Sequence, residues 1–89
     1  MPKQPLFALG RILATPGALG LEVIFYPYLR RHQYGDWGDL GKEDKAENDF
    51  SVANRLRILS AYHTPDGKKF WIITEADRSA TTILLPSEY

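Results

Sequence analysis

The chain has 89 residues, with eleven basic side chains, eleven acidic ones and no cysteine. That sets one small domain as the frame and excludes disulfides, thiolate nucleophiles, zinc fingers and iron–sulfur clusters. An apolar fraction of 44% suits a packed globule, no apolar run approaches the ~20 residues of a spanning helix, and the zero net charge gives little to a non-specific nucleic-acid binder.

In chain order, "LFALGRILA" reads as a strand: Phe7, Leu9 and Leu13 alternate onto one face, and Leu6, Ala8 and Ile12 fall on the other. Thr15 followed by Pro16 is a helix start, because the hydroxyl can cap free amides and proline at the first position loses no bond. The helix it opens is expected over residues 16–24, weakened by Gly17 and Gly20, with Val23 to Tyr26 more strand-like. Pro27 opens a second short helix, "PYLRRHQY", which Gly35 ends. A third helix follows in "DLGKEDKAENDFSVAN". Asp39 is its expected cap, and Leu40, Ala46 or Glu47, Phe50 and Ala53 are its expected buried stripe.

From Leu56 the period changes to two. "LRILSAYH" and "KKFWIITE" are strands joined by "TPDG", whose proline and Asp-Gly favour a hairpin with a bulge. "TTILLP" is a third strand, stopped by Pro86. The fold class expected is α+β in one domain over residues 1–89: an N-terminal strand that joins the sheet, two to three short helices, then a three-stranded antiparallel meander packed against the helices. The apolar runs Phe70–Ile73 and Ile83–Leu85 require cover on part of both sheet faces, from helices on one and a second subunit on the other.

Residues 36–54 carry six acids and two bases, and "HQYGDWGDL" leads into them. His32 lies near Asp36 and Asp39 in sequence, so a carboxylate could orient it as a general base in a small hydrolase or nuclease-like enzyme. The structural reading of the same stretch is a corner between helices: Gly35 stops one, Asp39 caps the next, and Trp37 packs beneath, its exposed edge a candidate binding surface. The acids do not match the alternating calcium loop, and no nucleotide-binding or hydrolase motif occurs, so no metal and no cofactor is expected. His63 begins the hairpin turn and reads as simply exposed. In "TEADRSATT", Glu75, Asp77 and Arg78 could hold a ligand; the plainer reading has Asp77 turning on its own backbone and Arg78 paired with an acid. Arg55, Arg57, Lys68 and Lys69 lie among Tyr62, Phe70 and Trp71, a pattern that can stack single-stranded bases, although the acidic middle disfavours it.

The succession "ATPGAL", "RHQYGDWGDL", "RILSAY", "PDG" and "WIITEADRSATTILLPSEY" resembles a family of small bacterial proteins carried on plasmids and other mobile elements, over more than half of the chain. Some of these carry a type I restriction-subunit label, but a chain this short holds neither a methyl-donor site nor a helicase motor. The resemblance implies a mobile-element setting and carries over no catalytic residue. Here the segment after "ATPGAL" is "GLEVIFYPYL", more apolar than the family pattern, which points to a local interface. The function expected is a non-enzymatic protein-interaction or regulatory module that binds a protein partner or itself as a homo-oligomer. It is expected to be cytoplasmic, since "MPKQPLF" has no signal-peptide pattern.

Overall fold

The computed structural model describes residues 4–89; Met1 to Lys3, at the head of the "MPKQPLF" reading, lie outside them. The elements are β1 (Arg11–Ala14), α1 (Pro16–Leu19), α2 (Tyr26–Gln33), α3 (Lys42–Asn54), β2 (Ile58–His63), β3 (Lys69–Thr74), β4 (Ala80–Leu84) and a terminal 3₁₀ turn, Pro86–Glu88. They form an α+β fold around one four-stranded sheet of order β1-β4-β3-β2. The expected meander is present: β2 and β3 are antiparallel, with Ser60 opposite Ile72, and so are β3 and β4, with Ile72 opposite Ile83. The N-terminal strand joins it as the fourth strand, parallel to β4, so the sheet is mixed.

Three local expectations are corrected. The first strand starts at Arg11, not Leu6, because Gly10 sits at φ 65° against the Arg78–Ser79 backbone and breaks the extension. The first helix is one turn, Pro16–Leu19, capped as expected by Thr15 Oγ1, which accepts from Ala18 N–H at 3.2 Å. Val23 to Phe25 form no strand, and the second helix starts at Tyr26. The bulged hairpin forms as read: Gly67 N–H donates to Thr64 C=O at 2.9 Å, and Thr64 N–H to Lys68 C=O at 2.8 Å.

The register sorts the side chains. Ser60, Tyr62, Phe70, Ile72, Thr74, Thr81 and Ile83 share one sheet face. Ala18 and Leu29 cover it, joined by Leu9, Leu21, Phe25 and Tyr28 at the margin. Phe70 and Ile72 are fully buried there, each worth about 1.5–3 kcal/mol of transfer free energy. Leu59, Ala61, Trp71, Ile73 and Leu84 line the opposite face, where the terminal turn brings Tyr89 edge-on to Trp71, with ring centroids 5.7 Å apart.

The third helix departs most from expectation. Its buried residues are Asn48 and Ser51, while Phe50 is 60% exposed. The reason is its place: α3 seals the β2 edge, whose peptide groups need polar partners rather than an apolar stripe. Asn48 Nδ2 donates to Leu59 C=O at 2.7 Å, and its Oδ1 accepts from Leu59 N–H at 3.2 Å.

Candidate functional site

The corner "YGDWGDL" is built to run beside β2. Ala61 N–H donates to Trp37 C=O at 3.2 Å, and Asp39 N–H donates to Ala61 C=O at 2.7 Å. Gly38 passes between them at φ 76°, so close that a methyl group there would overlap the Ala61 carbonyl oxygen. With the Tyr28 hydroxyl on His63 C=O at 3.3 Å, Asn48, Trp37, Asp39 and Tyr28 together occupy the outer edge of β2.

The structure separates the residues that sequence grouped. His32 is fully buried and meets no carboxylate. Its Nδ1 lies 2.5 Å from Ser60 Oγ and its Nε2 2.8 Å from Thr74 Oγ1. The chain continues from Thr74 to Thr81 at 2.8 Å and ends where the Thr81 hydroxyl donates to Leu9 C=O at 2.7 Å. That carbonyl can only accept, so Thr74 donates to Thr81 and His32 Nε2–H donates to Thr74; in a neutral ring Nδ1 is then the acceptor and Ser60 donates to it. Burial, with Arg78 nearby, pushes the His32 pKa down to about 3, so the ring is neutral and both its nitrogens are committed.

Asp36 accepts from Arg31 Nε at 2.8 Å and from Gly38 N–H at 3.2 Å, and the guanidinium holds its carboxyl below the usual range. Asp39 is not a helix cap. The position before α3 is Gly41, and the Asp39 carboxylate instead pairs with His63 Nδ1 at 2.6 Å. Trp37 offers no binding edge: it is 3% exposed, donates Nε1–H to Asp49 Oδ1 at 3.0 Å, and packs against Phe7 and His32.

The Glu75–Arg78 loop is likewise occupied with the fold. Glu75 pairs with Arg57 at 3.2 Å, and Asp77 turns on its own backbone, accepting from Ser79 N–H at 3.0 Å. Among the described residues Arg78 pairs with no acid. Buried at φ 62°, it donates to the carbonyls of Leu56 at 2.7 Å, Ser51 at 3.1 Å and Glu75 at 3.1 Å, closing the C-terminal end of α3. Of the hairpin aromatics, Tyr62 and Phe70 are buried in the core, which leaves Trp71 alone of the three on the outer face.

Two features went unread in the sequence. One is the Asp39–His63 pair, whose aspartate lines a cleft of about 450 Å³ together with Asp44, Glu47, Asn48, Lys69 and Trp71; the lining includes neither His63 nor a hydroxyl or thiol nucleophile. Among the described residues no three His, Asp or Glu side chains converge as a metal site, and no helix is long and apolar enough to cross a membrane.

No protein-family model, curated protein or solved structure matches the chain.

The second feature is the β1 edge. Arg11 N–H bonds to Ser79 C=O and Thr15 N–H to Ile83 C=O, each at 3.0 Å, so residues 11, 13 and 15 face β4. The backbone groups of Ile12 and Ala14 therefore point away from the sheet. Among the described residues none hydrogen-bonds to them on that side. Ile12 is 50% and Leu13 42% exposed on this strand. One edge of the sheet is sealed by four residues, and the other is open and apolar.

Proposed function

We propose that the chain is a non-enzymatic protein-interaction or regulatory module that binds an extended segment, from another protein or from a second copy, along β1. The observation that carries this is the contrast between the two sheet edges. An edge strand with free peptide groups and apolar side chains is a template for strand addition, and the same chain shuts the equivalent template on β2. The resemblance to plasmid and mobile-element proteins gives the setting of this reading, a cytoplasmic partner of such an element.

The test is selection of binders from a displayed library of extended peptides. Ile12→Pro is the discriminating variant: it removes an outward N–H that has no partner in the sheet, so the β1–β4 ladder survives. Selected peptides should lose at least tenfold in affinity for Ile12→Pro. Peptides indifferent to that change would remove the reading.

A second reading attaches to the Asp39–His63 pair, in place of the His32, Asp36 and Asp39 grouping. A carboxylate-held imidazole whose aspartate lines a cleft is the observation that favours it, as general-base geometry for a hydrolase or nuclease-like enzyme. It requires turnover of ester or phosphodiester probes that disappears in His63→Ala.

A further inference from the structure

We infer that the occupant of the β1 edge is a second copy of this chain, paired antiparallel about a two-fold axis at Leu13; this rests on the edge reading above. The backbone dictates the register. Ile12 and Ala14 are the residues whose N–H and C=O point outward, so in an antiparallel pair they must form the hydrogen-bonded pairs. Placing Ile12 opposite the partner's Ala14, and Ala14 opposite the partner's Ile12, satisfies all four outward N–H groups. Leu13 then meets its own copy on the axis, in a non-hydrogen-bonded pair whose side chains approach closely.

Charge supports the same register. Arg11 falls opposite the partner's Thr15, on the sheet face that carries Leu13. The Thr15 hydroxyl donates to Glu88 Oε1 at 2.5 Å, so Glu88 stands beside that position. The Glu88 carboxylate already accepts from Gly17 N–H at 2.9 Å and Leu85 N–H at 2.8 Å, and is held below the usual carboxylate range by the Thr15 hydroxyl. Among the described residues neither Glu88 nor Arg11 has a partner of opposite charge. The two-fold brings each Arg11 to the other copy's Glu88, twice per assembly. A register centred on Ile12 would instead place Arg11 opposite the partner's Leu13. The sealed β2 edges become the outer edges of a continuous eight-stranded sheet, so growth stops at two copies and does not run on into a fibre.

The chain lacks cysteine, so a single introduced thiol reports the register cleanly. Leu13→Cys should form an inter-chain disulfide on mild oxidation, since two-fold-related β-carbons at a non-hydrogen-bonded site are within bonding range. Phe50→Cys, on the exposed side of α3, should not. Light scattering should give a dimer for the wild type, a monomer with unchanged circular dichroism for Ile12→Pro, and a roughly tenfold weaker dimer for Arg11→Glu, which sets two acids together. A wild type that stays monomeric at high protein concentration overturns the inference. A dimer that survives Ile12→Pro, or cross-links through Phe50→Cys and not Leu13→Cys, overturns it too. A monomer whose selected peptides still depend on Ile12 overturns the second copy and leaves the edge reading standing.

Discussion

Asn48 pairs with Leu59 as a neighbouring strand would, its side-chain amide taking both the N–H and the C=O of one residue, at 3.2 and 2.7 Å. A helical side chain here does what the Trp37–Asp39 corner does beside Ala61: it caps the edge without adding another strand with an edge of its own. The consequence is a sheet with a direction: closed at β2, open at β1.

Asn48→Ala should therefore cost about 2 kcal/mol, because it leaves a nearly buried donor and acceptor unpaired. In a domain of this size that lowers Tm by roughly 10 °C. Thermal unfolding with residue-resolved amide exchange checks it: the Leu59 amide should lose protection. An unchanged Tm would mean that α3 does not seal the edge.

Gly38→Ala combines a left-handed backbone with an overlap on the Ala61 carbonyl oxygen. Relief requires the corner to move off β2, breaking the Trp37 and Asp39 bonds to Ala61. The expected loss is about 2–4 kcal/mol, measured by urea unfolding. Gly41→Ala, where a methyl group meets open space, is the matched control and should change stability by less than about 1 kcal/mol.

The buried His32 makes stability depend on pH. Its folded-state pKa, about 3, lies below its ordinary value of 6.5, so the unfolded chain takes up the proton first. The stability it contributes is complete above about pH 6.5 and is lost as pH falls from there toward 3, by about 1.4 kcal/mol per unit. At pH 5 the loss is about 2 kcal/mol. Urea midpoints from pH 7.5 to 4.5 should show this slope, and His32→Gln should flatten it while lowering stability at neutral pH. An equal slope in both proteins would contradict the hydroxyl-locked, neutral ring.

Arg78→Lys keeps the charge and loses the fork that reaches the Leu56, Ser51 and Glu75 carbonyls together. A loss of about 2–3 kcal/mol is expected, with faster amide exchange in the last turn of α3. A ligand-binding arginine would instead tolerate lysine with little change in stability.

The legible part of this fold was the part governed by local rules. Thr15-Pro16, Gly35 and Pro65-Asp66-Gly67 punctuate the chain as their backbone chemistry requires, and the period of two from Leu56 marks the meander. What the sequence concealed was non-local. Asp39 satisfies a cap pattern, but its partner His63 lies 24 residues away on a strand end. His32 has carboxylates near it in sequence, yet it is Ser60 and Thr74, from two different strands, that hold it. The amphipathic rule failed for α3 because its buried face meets peptide groups, so Asn48 is inside and Phe50 outside. The corner around Trp37, with its histidine and acids so close in sequence, is the strip that closes β2. The parallel pairing of β1 with β4, which creates the open edge, had no local signal.

The most direct measurement of the central claim is residue-resolved hydrogen exchange on β1 as protein concentration is raised or a selected peptide is added. Arg11 and Leu13, bonded to β4, should be protected throughout. Ile12 and Ala14 should exchange freely in dilute protein and gain at least tenfold protection as the edge fills. If those two amides stay unprotected at every concentration and with every ligand, while protection grows elsewhere, β1 is not the docking edge.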